Sequence, residues 1–163
     1  MDSGPRPSAG GGEAPRFLAD AMLGRLARWL RILGYDAEYS AGEDDDLLRQ
    51  ARGEGRILLT RDTRLLRRQS LPPHLLIHSD HVMEQLRQVI AALRLDPAAP
   101  PSRRCIRCNA VLEQRSKDEV LGQVPEFVWS RHSAFWGCPR CQRIYWAGTH
   151  RQRMEEAIQA LCR

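Results

Sequence analysis

The chain has 163 residues and a mass of 18.6 kDa, enough for one domain or for a domain with a small appendage. Apolar residues make up 42% and charged residues 28%, which excludes wholesale disorder, and no apolar run reaches the roughly 20 residues a membrane-spanning helix needs. Residues 1–100 hold 14 basic and 14 acidic side chains, while 101–163 hold 11 and 6, so the whole net charge of +5 sits in the last third and points to an acidic partner such as RNA or DNA there.

Residues 1–15, MDSGPRPSAGGGEAP, are rich in Gly, Pro and Ser without periodicity and read as a disordered leader. No basic start followed by an apolar core opens the chain, so a cytoplasmic protein with no membrane partner is expected. Residues 16–19 form a short buried strand ending at Asp20. Met22, Leu23, Leu26, Ala27, Leu30 and Leu33 then recur at helical spacing, with Arg25, Arg28 and Arg31 as a basic stripe away from that face. Gly34 suits the helix stop. A second strand over 37–40 precedes Glu43-Asp44-Asp45-Asp46, acids that suit the positive end of the next helix, 47–53. Residues 56–60 are the clearest strand and close in Thr60-Arg61-Asp62. A fourth strand over 75–78 and a helix from Asp80 to about 95 complete an alternation that predicts an α/β fold, a parallel sheet flanked by helices. The Pro-rich stretch 97–102 reads as a linker between a domain over 16–96 and a module over 103–163, which ends in a helix over 151–161.

Ligands of an open parallel sheet bind outside the carboxyl ends of its strands. Asp20, the Asp44–Asp46 cluster and Asp62 all fall there, and Asp80 repeats the pattern after the fourth strand. A single Asp at such a place is an ordinary helix cap. Three at consecutive strand ends point to a hard, oxygen-binding cation, Mg²⁺ or Mn²⁺, and the natural reaction is phosphodiester hydrolysis. No G-x-x-x-x-G-K-[ST] loop and no G-x-S-x-G elbow occur, which argues against a P-loop NTPase and a serine hydrolase.

Cys105, Cys108, Cys138 and Cys141 form two C-x2-C pairs with 29 residues between them. That spacing predicts a closed structural Zn²⁺ site in a zinc ribbon rather than a redox dithiol. Cys162 is left over as a packed thiol. Arg103, Arg104, Arg107, Arg140 and Arg143 interleave with Trp129, Phe135, Trp136, Tyr145 and Trp146, a mixture that suits either RNA bases and phosphates or the core of the ribbon itself. His132 and His150 read as substrate contacts or as polar turn residues.

FLADAMLGRLARWLR over 17–31, LLTRD over 58–62, and CPRC at 138–141 followed by IYWAGTH at 144–150 together resemble the signatures of the Mut-seven C-terminal RNase domain family, over about residues 16–155. The resemblance implies a PIN-like nuclease domain followed by a small zinc ribbon, and metal-dependent RNA cleavage with strand-end acids as ligands. By position, Asp20 and Asp62 carry over, and the second acid falls at Asp44 or, next, Asp45. Arg25, Arg28 and Arg31 match the family's basic helix. With Arg61, Arg140, Arg143, Trp146 and His150 they are the candidate RNA contacts. The expected function is a Mg²⁺- or Mn²⁺-dependent ribonuclease whose ribbon binds single-stranded or structured RNA, with a ribonucleoprotein complex as a candidate partner. The alternative is a non-catalytic RNA- or ribosome-binding protein on the same fold. A redox or scaffold role for the cysteines is the third.

Overall fold

Phe17–Ala19 forms β1, and none of its three residues is exposed to solvent. A strand buried on both faces needs cover on both. The chain supplies it through α1 (Gly24–Ile32), β2 (Ala37–Tyr39), α2 (Asp44–Glu54), β3 (Ile57–Thr60), a 3-10 turn at Leu65–Arg67, β4 (His74–Leu76) and α3 (Val82–Leu93). In this computed structural model, which describes residues 12–161 and 163 without the side chains of 149–151, the sheet is parallel with strand order β2-β1-β3-β4. Most of the expected leader, and Cys162, lie outside the described residues.

The two-residue period of the strands sorts their side chains. Phe17, Ala19, Ile57 and Leu59 join one core cluster with Leu26 and Leu30 of α1 and Leu86 and Val89 of α3. Leu18 and Leu58 join the other with Leu47, Leu48 and Ala51 of α2. Fully burying one such leucine stabilises the fold by about 1.5–3 kcal/mol. Met22, counted with the apolar face of the first helix, is 65% exposed. It precedes Gly24, where α1 begins, so the helical phase does not govern it. The fourth strand falls slightly earlier than the expected 75–78.

The cysteine-bearing module is a second, antiparallel sheet of β5 (Glu113–Arg115), β6 (Phe135–Gly137) and β7 (Ile144–Trp146), in that order, with α4 (Glu126–Arg131) between β5 and β6. Its small core is Val120, Val128 and Phe135. The terminal helix α5 (Thr149–Leu161), grouped above with the ribbon, sends Ile158 into the core of the parallel sheet, with Leu161 packed against it. No described helix is long and apolar enough to cross a membrane.

Polar contacts hold the module against β2. Arg31, expected in a surface basic stripe, is only 8% exposed. Its Nε donates to the Ala37 carbonyl at 2.7 Å and its Nη1 to the Ile106 carbonyl at 2.9 Å. Position 31 is six residues after Arg25, about 1.7 turns, and this incomplete rotation carries it off the solvent face towards the strand edge. Burial lowers the guanidinium's pKa, while Glu38, Cys105, Cys108 and Asp36 pull it back up. Gly34 closes the helix at a φ of +89°, and a Cβ there would stand 2.2 Å from the Ser102 carbonyl, so the stretch expected as a linker lies directly on the end of α1.

Candidate active edge and metal centre

The connection from β1 leads to β2 on one side of it, while β3 and β4 lie on the other. The chain therefore reverses direction between β1 and β3, and such a switch point opens a crevice at the carboxyl ends of the strands. Asp20 ends β1 beside this crevice, and Asp62 follows β3 across it.

The structure links the two acids through Thr60. The Asp62 amide donates to Thr60 Oγ1 at 3.0 Å, and that hydroxyl donates to Asp20 Oδ2 at 2.5 Å. Each carboxylate also accepts from the amide two residues on, Asp20 from Met22 at 3.1 Å and Asp62 from Arg64 at 2.8 Å. The local turns are thus alike, but their exposure differs. Asp20 is 8% exposed, while the Asp62 side chain is 33% exposed. The Arg64 amide and guanidinium hold the Asp62 carboxyl below the usual carboxylate range. Thr60 itself is fully buried.

Asp44 and Asp45 open α2 at the same edge of the sheet, and Arg68 reaches both, at 3.9 and 3.3 Å. Asp46 turns outward to Arg49. Asp80 is exposed and, among the described residues, pairs only with its neighbour His81. Arg61 lies next to the acids, with its Nε buried and without a hydrogen-bond partner among the described residues. Arg25 and Arg28 stand exposed on α1. Among the described residues the acids do not form a tight ligand cluster. The one group of three or more such side chains within 4.8 Å is Cys105, Cys108, Cys138 and Cys141.

The four cysteines lie on two knuckles of the same build. In each, the second cysteine's amide donates to the first one's sulfur, Cys108 to Cys105 at 3.3 Å and Cys141 to Cys138 at 3.4 Å. The next residue turns left-handed, Asn109 at a φ of +66° and Gln142 at +63°. Its amide donates to the first cysteine's carbonyl. Such turns aim both sulfurs of a pair at one point, and four sulfurs so placed can bind a metal ion. Burial raises the Cys105 thiol, but hydrogen bonds from the Tyr145 hydroxyl, the Cys108 and Arg107 amides and the Cys141 thiol bring it down to about 7. Desolvation and the neighbouring thiols push Cys108 up to about 12.

The aromatic set divides sharply. Phe135 is fully buried core. Trp136 is covered by the Arg103 guanidinium, 4.0 Å above its ring. Trp129 carries Lys117 at 4.5 Å and donates its indole N–H to the Lys117 carbonyl. The Tyr145 hydroxyl is 3.1 Å from Cys105 Sγ. Trp146 packs one part against the ribbon core and lines a surface cavity with the rest. Arg140 and Arg143 are exposed, and Arg140 lies 3.4 Å from the Cys108 carbonyl. The side chain of His150 lies outside the described residues.

Sequence reasoning missed Thr60, Arg68 and Asn109. Thr60 could have been found from its place two residues before Asp62 at a strand end. Nothing local marks Arg68 or Asn109, whose partners are distant in sequence.

A parallel α/β sheet flanked by helices, with acids at its switch point and a four-cysteine ribbon on its edge strand, defines the class of this molecule. The chain belongs to the Mut7-C RNAse domain family, whose description matches residues 15–158. No curated protein and no solved structure matches it. Membership suggests a ribonuclease-type function, with RNA as the implied substrate.

Proposed function

We propose that the protein is a metal-dependent ribonuclease that hydrolyses RNA phosphodiester bonds, and that its ribbon binds the RNA. The observation that carries this reading is the Asp62–Thr60–Asp20 hydrogen-bond chain across the switch point of the sheet. Asp20 and Asp62, with Asp44 or Asp45, would hold Mg²⁺ or Mn²⁺. Such an ion, when bound, neutralises charge on the phosphate and activates water. A carboxylate offers about four lone-pair sites, and Asp20 uses one on each oxygen within the protein, so capacity remains. Thr60 fixes the direction of Asp20. Arg64 keeps Asp62 ionised. The four thiolates suit Zn²⁺ and leave no open position, so that metal is structural.

The ribbon meets Asp36, Ala37 and Glu38 at the start and middle of β2, whereas the acids lie at the carboxyl ends of the strands. Arg25 and Arg28, three residues apart and exposed on α1, are the phosphate contacts of this reading.

One observation favours the non-catalytic reading. Arg68 already pairs with Asp44 and Asp45 and offsets part of their charge, and the acids are not drawn into one tight cluster among the described residues. Incubating end-labelled single-stranded and structured RNAs with Mn²⁺, Mg²⁺ or neither, beside Asp20→Asn and Asp62→Asn, separates the two. The expected result is metal-dependent cleavage that disappears in both variants. RNA binding without any cleavage would replace the nuclease with a binding protein.

A further inference from the structure

Between α4 and the turn from β7 into α5 lies a cavity of about 640 Å³. It is lined by Phe127, Arg131, His132, Trp146, Gln152 and Glu155, among others. It lies on the ribbon side of the molecule and contains none of the strand-end acids. Its size falls within the range of small-molecule sites.

We propose that this cavity is a nucleobase pocket, which takes one unpaired base of a single-stranded RNA between Trp146 and Phe127. The proposal rests on the RNA-binding reading above and assigns a place to it. Four observations carry it. First, the other rings singled out in the ribbon are committed: one is core, two are covered by a cation and one contacts a cysteine sulfur. Trp146 is the ring of that set that lines this cavity. Second, Phe127 is 64% exposed although its helix neighbour Val128 is buried, and an apolar ring left in water beside a cavity gains by stacking. Third, Arg131 on the same wall is exposed and makes no ion pair with any described residue, so its guanidinium is available for the phosphate that accompanies a base. Fourth, Gly148 lets the indole lie close to the chain. A Cβ at that position would stand 3.1 Å from Trp146 Nε1.

Arg131 and His132 line the wall towards which the phosphate would lie. The base is held by stacking and its backbone by charge, the division of labour common in single-strand binders.

The test uses the full-length protein and a short RNA strand whose one base is 2-aminopurine, every other position being abasic, without added divalent cation so that no cleavage intervenes. Fluorescence quenching reports stacking of the base, and anisotropy reports affinity. Wild type is expected to quench the probe. Trp146→Leu is expected to lose the quench and to bind roughly ten-fold more weakly or worse, with Trp146→Phe restoring most of both. Phe127→Ala, which removes an exposed ring and leaves the fold intact, weakens binding in the same direction. Affinity for an RNA of equal length with an abasic site in place of 2-aminopurine should be the same in all variants.

Unchanged quenching and affinity in Trp146→Leu and Phe127→Ala would overturn the pocket while leaving RNA binding in place. An equal loss on the abasic RNA would also overturn it, because that is the signature of structural damage. Failure of wild type to bind any of these RNAs would sink the RNA-binding reading itself, and the pocket with it.

Discussion

Asn109 Nδ2 donates to Asp36 Oδ1 at 2.7 Å, joining the first cysteine knuckle to the amino end of β2 across a sequence separation of 73 residues. The same amide nitrogen donates to Glu38 Oε1 at 3.0 Å, while Asn109 Oδ1 accepts from the Ala37 amide at 3.0 Å. β2 is an edge strand, and an edge leaves backbone groups without partners. One side chain from the ribbon therefore satisfies a strand amide and stands between two carboxylates.

Replacing Asn109 by Ala should destabilise the protein by about 1–3 kcal/mol, because buried partners are left unsatisfied. Asn109→Gly keeps the left-handed backbone easy but still lacks the amide. Both variants should melt several degrees below wild type in a thermal scan. Recovery of stability in the glycine variant would mean that backbone strain at this position, not the amide, carries the effect.

Asp36 gives the junction a pH dependence. Burial opposes its ionisation, but hydrogen bonds from Arg56 and Asn109 and the nearby Arg104 outweigh it and lower its pKa below the ordinary 3.8. A carboxyl with a lowered folded-state pKa contributes stability above its unfolded value and loses it as pH falls through the folded one. Asp36→Asn should thus melt lower than wild type at pH 7, and the gap should close below pH 3.8. A gap that stays constant from pH 7 down to strongly acidic solution would refute this role.

Thr60 is expected to matter for its hydroxyl rather than its shape. Thr60→Val keeps the β-branched outline but removes both the donor to Asp20 and the acceptor for the Asp62 amide, at a cost of about 1–3 kcal/mol. Thr60→Ser retains both bonds and should recover most of the loss. Under the nuclease reading, metal-dependent RNA cleavage should follow the same order. Wild-type stability and cleavage in the valine variant would remove Thr60 from the site.

Metal loss should reach the sheet. Cys138→Ser is expected to abolish bound zinc in native mass spectrometry, since structural metal binding is part of the folding free energy. With the ribbon loosened, Asn109 loses its position, and the Ala37 amide that donates to it should exchange faster with deuterium. Retention of one zinc per chain in this variant would show that Cys138 is not a ligand.

Local patterns in the sequence determined much of this protein. The apolar runs of 16–19 and 56–60, the helical spacing after Asp20 and the paired cysteines are each readable within a few residues, because helix phase, strand burial and knuckle turns are short-range. They were enough to place the parallel sheet, the ribbon and the acids at the strand ends. The tertiary structure decided which of two roles a given residue takes. Arg31 has the same chemistry as Arg25 and Arg28, but its place near the end of α1 brings it against Ala37 and Ile106 and buries it. Four of the five ribbon rings are taken up by neighbours within the module, some many residues away in sequence, and only that packing leaves Trp146 beside a cavity. Burial and pairing depend on which distant segments meet, and no local pattern in the chain carries that information.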